Sequence, residues 1–234
     1  MSLSNLKFAL RHHADKKRAE GAQRYFKTGP GEYAEGDIFL GLTTPVMRDL
    51  SKKFQGLVQD EVIKLLKSPI HEERMLALLI LIEQYRKEDA KGKEKIYRVY
   101  LGHTKYINNW NLVDVTAKHI IGAFLNDKDR APLYKLARSN SLWERRIAII
   151  STFYFIGNND FEDTLKIAEV LISDKHDLIH KAVGWLLREV GKRDLPREEK
   201  FLKKYCRVMP RTMLRYAIER FPETKRQAYL KGRA

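Results

Sequence analysis

Apolar residues recur at three- and four-residue steps through most of the chain, the spacing that gathers them on one side of a helix. Leu3, Leu6 and Leu10 mark a first helix, and Ala22, Tyr25 and Phe26 close a second. Thr28 to Gly36, reading TGPGEYAEG, breaks the pattern with glycine and proline and is a loop by composition. Thr43 and Thr44 stand as caps before Pro45, a residue that fits a first helical turn. Beyond it the periodicity predicts helices near 60–67, 72–86, 91–102, 110–125, 131–138, 142–155, 161–173, 177–191, 196–207, 210–221 and 223–231. No strand-type alternation runs for a useful length, so the chain reads as all-α with short connections.

Four of these segments resemble one another: IHEERMLALL from Ile70, LWERRIAII from Leu142, LIHKAVGWLL from Leu178 and TMLRYAIERF from Thr212. Each places a basic residue ahead of apolar and small ones, at Arg74, Arg146, Lys181 and Arg215. The steps are 72, 35 and 34 residues, and the midpoint of the first is Trp110. Any amphipathic helix shows some such pattern, but recurrence near 35 residues, two helices to a unit, marks a helical solenoid. The second helix of each unit lines the concave face. Arg146, Lys181 and Arg215 are therefore expected along one groove, with Arg74 as a further candidate. Trp110 and Trp185 either offer aromatic faces in that groove or fill contacts between helices.

Charge sharpens this picture. The 234 residues carry 45 Lys and Arg against 30 Asp and Glu, a formal excess of +15, which makes a polyanion the leading class of partner. With 44% hydrophobic residues the chain can build a core, and its length suits one domain over 1–234. The longest apolar run, Met75 to Ile82, is far short of the roughly 20 residues a membrane span needs. A single cysteine, Cys206, and no signal-peptide pattern point to a reducing, cytoplasmic compartment and an inert thiol.

The candidate chemistry is concentrated in INNWNLVDVTAKHIIG, from Ile107 to Gly122. Trp110 and Asp114 are four apart and share a helical face. Asp114 lies among Leu112, Val113 and Val115, so it is either a cleft carboxylate or half of a surface pair with Lys118. HDLIH, from His176, approaches a zinc-protease spacing but puts Asp177 where a glutamate base is needed; a solvated turn with Asp177 as N-cap is the simpler reading. Gly29, Gly31 and Gly36 fit neither phosphate-binding fingerprint, and His12 and His13 read as surface residues.

These residues resemble the AlkD-type DNA alkylation repair glycosylases. FLGLTTPVMRDL from Phe39, SPIHEERMLALLIL from Ser68, INNWNLVD from Ile107, SLWERRIAI from Ser141, HKAVGWLLREVGKR from His180 and PRTMLRYAIE from Pro210 carry the likeness in order along the chain. The resemblance implies a right-handed α-solenoid of HEAT-like antiparallel helix pairs that excises cationic N3- or N7-alkylated purines from duplex DNA. The expectation is a monomer acting on duplex DNA, with no cofactor, metal, membrane or obligate protein partner. By resemblance, Asp114 is catalytic, Trp110 and Trp185 are its cleft tryptophans, and Arg146 and Arg188 contact phosphates. Tyr25 borders the cleft. Asn111 stands where relatives often carry Asp, and the 29–37 loop is longer than in the prototype. An alkylated purine is already a good leaving group, so what the reaction needs is a carboxylate beside the developing oxocarbenium ion. AlkD-like members leave the base stacked, and no nucleobase pocket is evident in the sequence. The rival reading is a non-catalytic DNA-binding solenoid recognising damaged or branched DNA.

Overall fold

A computed structural model describes residues 2–233. Among them the β structure is confined to an isolated parallel bridge between Ile38 and Ile70. The helices fall into two compact units, Met1–Thr116 and Ala117–Ala234. The first holds α1 (Leu3–His12), α2 (Lys16–Tyr25), α3 (Thr44–Lys53), α4 (Gln59–Leu66), α5 (His71–Lys87) and α6 (Ala90–Gly102), and most of α7 (Trp110–Ala117). The second opens with a π-turn over Lys118–Gly122 and continues through α8 (Ala123–Leu125), α9 (Ala131–Ala137), α10 (Leu142–Ser151) and α11 (Phe153–Gly157). It ends with α12 (Glu162–Val170), α13 (Asp177–Gly191), α14 (Leu195–Tyr205), α15 (Arg211–Ala217) and α16 (Glu223–Leu230).

In the first unit α5 is the central element. Every residue from Leu76 to Ile82 is buried, and α3 and α4 pack on it. The apolar run in the sequence is thus a core helix, each large side chain contributing about 1.5–3 kcal/mol of burial. Helix starts are set locally: Ser2, Asp15 and Asp89 accept from the backbone N–H groups of Asn5, Arg18 and Gly92. The predicted helix over 110–125 is interrupted by the π-turn, and the one over 142–155 breaks at Thr152, whose hydroxyl bonds the Ile149 carbonyl at 2.8 Å. No helix among the described residues is long and apolar enough to cross a membrane.

In the second unit α13 is central, with Ile179, Ala182, Val183, Leu186, Leu187 and Val190 inaccessible to solvent. It packs on α10, α14 and α15. The α13–α15 contact is close because position 184 is glycine: a Cβ there would collide with the Met213 carbonyl oxygen and lie 2.5 Å from Tyr216 Cβ. Successive packed helices of this kind make an all-α fold consistent with a solenoid. The start of α13 corrects one expectation. His176, not Asp177, is the N-cap, its Nδ1 accepting from Leu178 N–H at 3.1 Å. Asp177 is instead the first helical residue and pairs with Lys181 at 2.7 Å. His180 Nε2 is engaged by the Asp174 carbonyl at 2.5 Å, so both histidines of HDLIH serve the backbone.

Glu198 on α14 is buried, with Oε1 unpartnered and the carboxyl packed against Gly191. Burial, reinforced by the charge of Glu199, pushes its carboxyl from an ordinary 4.5 up to about 8, against opposing pulls from Arg188 and Lys225. A carboxyl raised on folding stabilises the fold fully below about pH 4.5, and that contribution is lost as pH rises to about 8. The loss is on the order of a few kcal/mol. Glu198→Gln is expected to remove this dependence. Thermal unfolding at pH 5 and pH 8.5 should show a smaller drop for the variant than for wild type, and equal drops would refute the assignment.

Candidate functional site

Trp110 opens α7 and is half-buried in an aromatic group. Its ring lies 5.3 Å from Phe26 and 5.9 Å from Tyr25, the latter edge-on. Tyr25 is 65% exposed, so its outer face is open to solvent. The indole N–H donates to the Tyr33 hydroxyl at 3.2 Å, which brings the glycine-rich loop back over the tryptophan. One turn along α7, on the same side, is the half-buried Asp114. Burial, with a further push from the Asp114 charge, holds the Tyr100 hydroxyl well above its ordinary range. Tyr100 therefore stays a neutral hydroxyl, bonded to Thr116 Oγ1 at 2.9 Å.

Behind Trp110 the rings continue. Phe26 stacks on Phe39 at 5.2 Å with planes 8° apart, and Phe39 stacks on His71 at 4.5 Å. His71 Nε2 faces the Asn111 amide nitrogen at 2.9 Å, so Nε2 accepts and Nδ1 carries the hydrogen toward Asp37, 3.3 Å away. Asp37 also receives Arg74 at 2.7 Å. Burial opposes the Asp37 charge, but the His71 hydrogen bond and the Arg74 guanidinium outweigh it and hold the carboxyl below its ordinary range. Arg74 is 3% exposed and also donates to the Ser68 carbonyl, at 3.0 Å. It is therefore not a groove cation, as the repeat pattern suggested, but the anchor of the loop. Beside these rings is a cavity of about 380 Å³ with Phe39, Met47, His71 and Leu79 among its walls and Trp110 along one side.

The remaining candidates lie in the second unit. Trp185 is half-buried, packs 5.5 Å from Phe153 and donates its N–H to Glu189 at 3.1 Å. Arg146 is 5% exposed and donates to the Leu178 carbonyl, joining α10 to α13. Arg188 pairs with Glu219 beyond α15. Lys181 is 40% exposed beside Asp177, and Arg215 is exposed. Of the expected row, then, Lys181 and Arg215 reach solvent, whereas the Arg146 charge is turned into the packing.

The sequence model of the DNA alkylation repair enzyme family matches residues 6–221. The chain belongs to the DNA alkylation repair enzyme family. A solved structure from Enterococcus faecalis, described as a predicted DNA alkylation repair enzyme, is similar in fold, with a TM-score of 0.69. It shares 15% identity, over 90% of this chain and 98% of that one. No curated protein sequence matches.

In this family member several residues around Trp110 escaped the sequence reading. Phe26, Phe39, His71 and Tyr33 come from separate elements, and nothing in their spacing announces one cluster. The adjacency of Tyr25 and Phe26 at the end of α2 was the available signal. Asp37, just after the last loop glycine, was the other.

Proposed function

We propose that the protein is a monofunctional DNA glycosylase that removes positively charged N3- or N7-alkylated purines, such as 3-methyladenine and 7-methylguanine, from duplex DNA. The observation that carries this reading is the placement of Asp114 one helical turn from Trp110, whose ring meets that of exposed Tyr25, in a member of an alkylation repair family. As the glycosidic bond breaks, positive charge moves to the sugar. The Asp114 carboxylate stabilises that cation and orients the attacking water. Trp110 and Trp185 offer π-faces to cationic groups, worth about 0.5–2 kcal/mol each when desolvated. Lys181 and Arg215 hold backbone phosphates. Arg146 and Arg188 fix α13, by the Leu178 carbonyl and by Glu219, and add positive potential there.

The test is incubation of the purified protein with methylated duplex DNA and chromatography of the released bases. Release of 3-methyladenine or 7-methylguanine, without strand cleavage, is expected. Salt-sensitive DNA binding with no base released would replace this reading with that of a non-catalytic DNA-binding protein.

A further inference from the structure

Two residues of the glycine-rich loop and its end, Tyr33 and Asp37, reach the first turn of α7 by separate routes. Tyr33 takes the indole N–H of Trp110 on its hydroxyl oxygen at 3.2 Å. Asp37 holds His71, and His71 Nε2 in turn accepts from the amide of Asn111, the residue after Trp110, at 2.9 Å. All of these residues lie in the first unit. Asp114 stands on the next turn of the same helix.

The loop is built to keep that grip. Glu32 and Glu35 turn back inside it and accept from Gly29 N–H at 2.8 Å and Gly31 N–H at 2.9 Å. Ala34, next to Tyr33, is buried and donates its N–H to the Lys27 carbonyl at 3.2 Å. At the far end Asp37 is tied to Arg74, and Ile38 donates to the Pro69 carbonyl and accepts from His71 N–H. A hydroxyl carried on such a loop is in place before DNA arrives. The rings around Trp110 restrain it differently: Tyr25 meets it edge-on and Phe26 at 31°, contacts that tolerate sliding. The hydrogen bond to Tyr33 is directional and selects one tilt of the indole.

We propose that Tyr33 is a positioning residue for base release: its hydroxyl fixes the plane in which Trp110 presents its π-face to the cationic sugar and base. That role rests on the glycosylase reading; the hold of Tyr33 on the indole does not. A cation–π contact depends on the cation standing over the ring face, so an indole free to tilt loses part of it. The hydroxyl therefore acts on the rate of the chemical step, whereas affinity for DNA is set by the phosphate contacts.

Tyr33→Phe removes the hydroxyl and keeps the ring. In proton–nitrogen correlation spectra the Trp110 indole N–H, assigned by its loss in Trp110→Phe, is expected to exchange with solvent about tenfold faster in Tyr33→Phe than in wild type. In single-turnover assays on methylated duplex DNA, Tyr33→Phe is expected to release base about three- to tenfold more slowly, with affinity for undamaged duplex within about twofold of wild type. The same change made in Trp110→Phe, which has no N–H to hold, is expected to cost nothing further. Thermal unfolding checks that each variant is folded. An unchanged indole exchange rate would overturn the proposal, as would an unchanged release rate in Tyr33→Phe or an equal loss in both backgrounds. A wild type that releases no base would sink the glycosylase reading and the link to rate with it, while the exchange measurement still decides whether Tyr33 holds Trp110.

Discussion

Asp114→Asn is expected to lower the rate of base release from methylated duplex DNA by at least about 100-fold, the scale on which one preorganised electrostatic partner of a transition state acts. The amide keeps the shape and the hydrogen-bonding reach of the carboxylate and removes only its charge. Because the charge is needed where the sugar becomes cationic, the loss should fall on single-turnover rate and not on affinity for undamaged DNA. The fold should be unaffected: Asp114 is half-buried on an otherwise intact turn of α7, and the core of that helix is Leu112, Val113 and Ala117. Single-turnover kinetics and DNA titration, run on the same preparations, separate the two effects. A variant that releases base at the wild-type rate would remove Asp114 from the chemistry. One that fails to bind DNA would make it a binding residue.

The second large effect is structural. Gly184→Ala is expected to destabilise the second unit by about 2–4 kcal/mol. The added methyl meets the Met213 carbonyl oxygen and the backbone side of Tyr216, neither of which can rotate away. Helices α13 and α15 must separate, and Leu186, Leu187, Met213 and Leu214, now inaccessible, lose contact. Gly21, with nothing near its absent Cβ, is the control: Gly21→Ala removes helix-interior glycine at no steric cost and should be neutral or slightly stabilising. Denaturant unfolding of both variants checks the contrast. Equal stabilities would mean that the α13–α15 contact is looser than described.

Much of the fold was legible because helical periodicity is local. The α13 segment was readable to its last residue, and Trp110 and Asp114 share a face by spacing alone. The breaks were not legible. Lys118–Gly122 has the composition of an ordinary helix, and only the packed structure widens it into a π-turn. Arg74 misled for a similar reason. A basic residue ahead of an apolar run looks the same whether it faces water or, as here, a buried Asp37 far back in the chain. The cavity was invisible because its walls come from four helices and a connecting segment, with no shared period. Asp37, His71 and Asn111 meet only through tertiary contact, so no pattern along the chain links them.

The three N–H groups of Leu40, Gly41 and Leu42 converge on one carboxylate, Glu72, at 2.9, 2.7 and 3.4 Å. Consecutive amides turned toward one point form a concave nest for an anion, the same device that elsewhere cradles phosphate. Here the nest is already filled from within the chain, by a side chain of α5's first turn. An incoming phosphate therefore finds no vacant backbone cradle at this loop. An anion meeting this side of the loop is left with side-chain cations, which many single substitutions remove, whereas a backbone N–H is lost only to proline.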